Sequence, residues 1–357
     1  MKIGIIVGTR PEIVKMAPVV RACRRRKVPY VFIHTGQHYS FELDGVFFKE
    51  LKLPKPHYNL GAGSGSHAQQ ISRMIEGLES VLLTEKPSIV LVEGDTNSVL
   101  AGGIAANKLG IPVGHVEAGL RSYDRGMPEE VNRIVTDHLS DVLFAPTQAT
   151  KKILLGEGIP AAKIHVTGNT VVDELLLQKS RGMKAVNLKA LGIISKKYAI
   201  ATVHRPENTE NETRLRGILG GIDRVARLLK LTIVMPLHPR TKKRIVAMGW
   251  KPSGNIKELP PLGYLEFVGL QANAALILTD SGGVQEEACC LGVPCVTLRT
   301  STERPESVEV GANILADAKV EAIVASARKM IQKRGDWKNP FGDGRAGERI
   351  IRIVEEL

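Results

Sequence analysis

Side chains able to do chemistry recur in one position along this chain, directly after a short apolar run. Gly8-Thr9-Arg10-Pro11-Glu12 closes the run "KIGIIVG", with Lys15 a turn later. "SIVLVEG" runs into Asp95-Thr96, "VGHVEA" carries Glu117 at its end, and "YAIATVH" ends in His204-Arg205. "ALILTDS" feeds Ser281-Gly282-Gly283, and Glu286 and Glu287 follow one turn on. Continuous apolar runs of this length suit strands buried on both faces of a parallel sheet. Ligands of such sheets bind beyond the carboxyl ends of the strands.

Each cluster suggests a task and an alternative. Arg10 and Lys15 would lie near the positive end of a helix dipole, which attracts phosphate, or would be ordinary charges at a helix start. Asp95 is either a functional carboxylate or an N-cap, whereas Glu117 lacks the capping alternative. Glu129-Glu130 in "MPEEVNR" opens a helix after Pro128, where acidic residues are common. His204 and Arg205 could bind a diphosphate, and His204 could donate a proton. A strand-end histidine is often structural, but His238 ends the next run in the same way. Ser281, Gly282 and Gly283 leave no bulky side chain at a helix start, so their N–H groups can reach a diphosphate. Glu287 could accept hydrogen bonds from ribose hydroxyls. Arg304, in "TSTERPESV", adds a candidate anion contact.

The elements that must position these residues alternate along the chain. Expected strands are 2–8, 30–35, 88–94, 113–118, 142–146 and 164–169, then 198–204, 231–238, 275–281 and 295–299. Amphipathic segments between them make this an α/β protein of two domains. "SHAQQISRMIEGLESVLLTEKP" (66–87) is the longest clean amphipathic stretch. The pattern weakens between about 169 and 197, a hinge. The boundaries are therefore 1–168 and 169–342, and the helix in 343–357 can pack on either domain, the first being the expectation.

Composition excludes several classes. The net charge is +12, but the basic residues are spread out, and the run Arg24-Arg25-Arg26-Lys27 suits the negative end of a helix dipole. With aromatics at 4%, little is available for base stacking, so no nucleic-acid partner is expected. No apolar run is long enough for a membrane span, and "MKIGIIVGTRPEI" has too short an apolar core for a signal sequence. A cytoplasmic protein is expected. Cys23, Cys289, Cys290 and Cys295 have no metal-ligand spacing, so no metal is predicted, and the adjacent Cys289 and Cys290 are expected to pack as small hydrophobes.

Taken together, "GTRPEIVKMAP", "VEGDTNSVLAG", "GHVEAGLRS", "PEEVNR", "TVHRPEN", "LTDSGGVQEEA" and "TERPESV" resemble the non-hydrolysing UDP-N-acetylglucosamine 2-epimerases, in family order from Gly8 to about Val308. The resemblance implies two Rossmann-like domains with parallel sheets and a cleft between them, the GT-B architecture, the second domain binding UDP. It implies reversible conversion of UDP-GlcNAc to UDP-ManNAc through elimination of UDP to 2-acetamidoglucal and re-addition. Asp95, Glu117, Glu129 and His204 then become the catalytic set. Arg10, Lys15, Arg133, Arg205, Phe267, Ser281, Gly282, Gly283, Glu287 and Arg304 become substrate-binding. No cofactor is required by that route, and the usual dinucleotide fingerprint is absent from the first strand. Family members are commonly homodimers, and helix 66–87 offers a possible interface. The resemblance departs at "TGQHYSFELDG", which keeps Gln37 and His38 but lacks the later glutamines linked to activation by substrate. A hydrolysing epimerase, a GT-B UDP-sugar transferase and a nucleotide-sugar binding protein are the alternatives. In the transferase reading, "GHVEAGLRS" and "PEEVNR" have no obvious place.

Overall fold

The computed structural model describes residues 1–37, 47–253 and 255–357; His38, within 38–46, and residue 254 lie outside the described residues. Two compact units divide the chain. The first comprises Met1–Leu176 and Phe341–Leu357, the second Leu177–Pro340.

In the first unit, seven parallel strands follow in chain order: β1 (Ile3–Val7), β2 (Tyr30–His34), β3 (Tyr58–Asn59), β4 (Ile89–Glu93), β5 (Val113–Val116), β6 (Val142–Ala145) and β7 (Ile164–Val166). Their order in the sheet is β3-β2-β1-β4-β5-β6-β7. Every residue of β1, β4, β5 and β6 is buried, because helices cover both faces. Order reverses between β1 and β4, and a crevice at such a switch point is where ligands of open sheets bind. The register sets Glu93 opposite Val116, which puts Glu117 next to the loop that carries Asp95.

The helices start where capping chemistry predicts. Ser66 and Gln69 form a reciprocal capping box on the helix His67–Glu85. Thr96, not Asp95, caps Asn97–Lys108, accepting from the Ser98 N–H at 3.2 Å. Arg24, Arg25 and Arg26 occupy the last turn of Arg10–Arg26. The terminal helix Ala346–Glu356 lies against that helix: Arg25 pairs with Glu348 at 2.9 Å and Arg26 with Glu355 at 2.6 Å.

The second unit repeats the plan with β8 (Tyr198–Thr202), β9 (Thr232–Pro236), β10 (Ile256–Leu259), β11 (Leu276–Thr279), β12 (Cys295–Thr297) and β13 (Asn313–Leu315), in the order β10-β9-β8-β11-β12-β13. Its switch point lies between β8 and β11. One buried core joins Ile218 and Ile222 of helix Glu212–Leu228 to Ile233, Leu278, Val296 and Ile323. Of the adjacent pair, Cys289 is buried as expected of a small hydrophobe, whereas Cys290 is half-buried and its thiol donates to Asn339 at 3.4 Å; Cys23 and Cys295 are buried free thiols. β3, β10 and β13 were not among the expected strands: two are three residues or fewer, and β10 carries Lys257 and Glu258.

Close approach fixes Gly8 at the end of β1. A Cβ there would fall 1.9 Å from Ser98 Oγ and 2.3 Å from Thr35 Oγ1. Those hydroxyls are themselves 2.8 Å apart, and Ser98 also donates to Gln37. Gly8→Ala should therefore destabilise the chain by about 1–3 kcal/mol through overpacking. Calorimetry checks this, and an unchanged Tm would show that the neighbouring hydroxyls yield freely.

Candidate active site

At the switch point of the first sheet, carboxylates crowd together and each is met by a designated partner. Glu12, in the first turn of Arg10–Arg26, accepts from the Gly8 N–H, from Thr9 Oγ1 at 3.1 Å and from Thr96 Oγ1, tying the end of β1 to the loop after β4. Burial outweighs these hydrogen bonds and lifts its carboxyl to about 7. Lys15, one turn further along, places its ammonium 2.9 Å from Glu93 and 2.8 Å from Glu117. Asn169 donates to the other Glu117 oxygen at 2.9 Å. Glu117 itself sits at φ 68°, a left-handed backbone that is costly for a residue with a Cβ. Such strain clusters at functional sites.

Asp95 is held differently. Arg133 donates to one of its oxygens from Nε at 3.0 Å and from Nη2 at 2.6 Å. The same guanidinium reaches Glu130 at 2.5 Å. Glu130 in turn accepts from the N–H groups of Ser122 and Tyr123 at 2.9 and 2.8 Å. Burial pushes the Glu130 carboxyl up, but those N–H donors and Arg133 outweigh it and leave it below its ordinary value. Behind this layer, His115 is 2.6 Å from Asp137 and 2.8 Å from the Gly94 carbonyl, and Arg121 pairs with Asp137 at 2.7 Å. The loops after β4 and β5 are thereby held in one network. Arg10 lies 5.3 Å from the Phe47 ring centroid, a cation–π distance.

The second unit has its own buried acid at the switch point. Asp280, fully buried after β11, accepts from the backbone N–H groups of His204 and Arg205, both at 3.0 Å, and from Asn208 at 3.1 Å. His204 Nδ1 stands 3.0 Å from the same carboxylate, while the rest of that imidazole is half exposed. Burial pushes Asp280 up, but His204, the Arg205 N–H and Asn208 prevail and lower it. Ser281 caps Gly282–Leu291, whose first turn presents Gly282 and Gly283. Glu287 accepts from the buried Gln271 at 2.6 Å, on the helix Tyr264–Asn273 that also carries the half-buried Phe267.

Several expectations need revision. Lys15, expected to face a phosphate or to be an ordinary helix-start charge, meets two carboxylates. Of the two glutamates after Pro128, Glu130 joins the buried network and Glu129 faces solvent. Arg304 is buried, and its Nε donates to the buried Glu286 at 2.8 Å, so its guanidinium braces the loop. Arg205 is 3.4 Å from Glu303, which Arg299 holds at 2.8 and 3.0 Å. Glu93, Asn169 and Asp280 were missed, and of the pair Glu129-Glu130 only Glu129 was named to the site; Asp280 gave a signal, an acid at a strand end directly before Ser-Gly-Gly. Among the described residues, no His/Cys/Asp/Glu group could hold a metal ion, and no helix is long and apolar enough to cross a membrane.

The family described as UDP-N-acetylglucosamine 2-epimerase matches residues 21–355. The UDP-N-acetylglucosamine 2-epimerase of Methanocaldococcus jannaschii is 52% identical over 361 residues, 99% of each chain. The chain belongs to the UDP-N-acetylglucosamine 2-epimerase family. A crystal structure of the M. jannaschii UDP-GlcNAc 2-epimerase in complex with UDP-GlcNAc and UDP matches it with a TM-score of 0.93 at 51% identity, covering 100% of both chains. Within reach of the same family lies the UDP-2,3-diacetamido-2,3-dideoxy-D-glucuronate 2-epimerase of Pseudomonas aeruginosa, 42% identical over 100% of both chains.

Glu12 gives this family member a measurable pH signature. Its folded carboxyl titrates near 7 against an ordinary 4.5, so the folded state binds the proton more tightly. Stability is then lost as pH rises from about 4.5 to 7, on the order of 3 kcal/mol for this group. Glu12→Gln should remove that decline. Its Tm relative to the parent should rise between pH 4 and pH 8, and parallel Tm curves would contradict the assignment.

Proposed function

We propose that the protein interconverts UDP-GlcNAc and UDP-ManNAc by eliminating and re-adding UDP. The observation that carries this reading is the pairing of Asp95 and Glu117 at the ends of adjacent strands, each gripped by a different cation, in a member of this family. The hydrogen on C2 is not next to a carbonyl, so direct removal would leave an unstabilised carbanion. Loss of UDP avoids that: base takes the C2 proton, the C–H electrons form the C1–C2 double bond, and the C1–O electrons leave with UDP. In the return step UDP oxygen attacks C1 and a proton reaches the opposite face of C2.

Two differently placed acid–base groups serve that cycle, and Asp95 and Glu117 are the pair we assign. Lys15 and Asn169 hold Glu117, and Arg133 holds Asp95. Glu129 has no assigned step in this scheme. His204, its Nδ1 side engaged by Asp280, meets the charge that builds on the departing diphosphate. Arg10, Arg205 and the N–H groups of Ser281, Gly282 and Gly283 add to that stabilisation. Glu287, held by Gln271, takes the ribose hydroxyls, with Phe267 nearby on the same helix as Gln271.

Proton NMR of the protein with UDP-GlcNAc in D2O tests the reading. UDP-ManNAc carrying deuterium at C2 is expected. Free ManNAc and UDP accumulating in step would instead place the protein with the hydrolysing epimerases. Asp95→Asn and Glu117→Gln should each lower kcat by about 10²–10⁴. His204→Asn and Asp280→Asn should reduce kcat to similar extents, with the double variant little worse than either, because they act as one unit. Additive losses in steady-state kinetics would separate the two residues.

A further inference from the structure

One buried carboxyl has no task in the scheme above. Glu93 ends β4 inside the first unit, fully enclosed, and its Oε1 faces the Lys15 ammonium at 2.9 Å. The same ammonium is 2.8 Å from Glu117. Two enclosed carboxylates sharing one cation cannot both ionise without leaving an unbalanced buried charge. Their surroundings break the tie. Glu117 receives hydrogen bonds from Lys15 and Asn169. Among the described residues, no donor other than the Lys15 ammonium meets either Glu93 oxygen. Burial accordingly pushes Glu93 well above the ordinary carboxylate range, with Lys15 opposing and Glu117 adding to the rise. Other charges facing the trio are accounted for. Glu12 approaches Glu93 from the Lys15 helix, Asp95 is neutralised by Arg133, and His115 is turned to Asp137 and the Gly94 carbonyl.

We propose that Glu93 is a positioning residue for Glu117: across the Lys15 ammonium the two hold one proton between them, kept on Glu93, so that Glu117 is the ionised member when substrate arrives. The inference rests on Glu117 being an acid–base group, as proposed above. When pH rises far enough to strip that proton, the ammonium is divided between two anions, so Glu117 keeps its charge but loses the undivided hold of Lys15 that sets its position and basicity. Glu93→Gln, which mimics the protonated carboxyl, removes that second ionisation.

The test is the pH profile of UDP-GlcNAc epimerisation by the full chain, parent against Glu93→Gln. The alkaline limb of kcat should move upward by about one pH unit or more, the scale of a strongly coupled pair, with KM unchanged. A folded Glu93→Gln protein with the parent profile, while Glu117→Gln is inactive, overturns the proposal and leaves the acid–base reading standing. Full activity in Glu117→Gln sinks both. A second measurement needs no variant. In the parent protein with ¹³C-labelled glutamate carboxyls, two resonances should titrate together in the same two steps, and independent single-step titrations of every glutamate would overturn the coupling.

Discussion

Enclosing a carboxylate costs several kcal/mol unless a cation or a set of donors meets it. The first unit encloses Glu12, Glu93 and Glu117 around the carboxyl ends of three neighbouring strands, so that cost governs how its loops are built. Lys15 satisfies two of these acids at once and fixes the helix Arg10–Arg26 over the sheet. Glu12 draws the loops after β1 and β4 together through Gly8, Thr9 and Thr96. Asp95 remains partly accessible and takes Arg133 as its match.

The second unit solves the same problem with one acid. Its strand order follows the same plan, and the strand across the switch point is followed by a buried carboxylate, Asp280, that reaches back to the loop after β8. The first unit instead sets Glu93 against Lys15 on the helix after β1. Asp280 collects two backbone N–H groups, Asn208 and the His204 ring. An imidazole anchored from one side keeps its other nitrogen for a ligand, which in the proposed reaction is the departing diphosphate. Glu303 and Glu286 perform a comparable service for Arg299 and Arg304, stiffening the loop after β12.

Much of this was legible in the residues. Strands buried on both faces announce themselves as unbroken apolar runs, and the amphipathic stretch 66–87 marked the helix His67–Glu85. The edge strands β3, β10 and β13 were not legible, because short or charged edges lack the apolar run that the reading depends on. At the site, Asp95 and Glu117 were found because an acid directly after a buried strand has few structural uses. Glu93 was passed over because it reads as the last residue of the strand itself. The partner of each cation was hidden for a different reason: Lys15 and Glu117 lie 102 positions apart, and nothing local tells a lysine whether it will meet a phosphate or a carboxylate. Glu129 and Glu130 illustrate the limit, since adjacent acids on a helix point to different faces and only packing selects the one that is buried.

The chemistry proposed for this site turns on breaking the C1–O bond of the sugar nucleotide, because no carbonyl stands beside C2 to stabilise a carbanion. The most direct measurement is positional isotope exchange with UDP-GlcNAc carrying ¹⁸O in the bridge between C1 and the β-phosphate. If UDP departs and returns, the label must scramble into the non-bridging oxygens of that phosphate at a rate comparable to epimerisation. Epimerisation with the label retained wholly in the bridge would contradict the account.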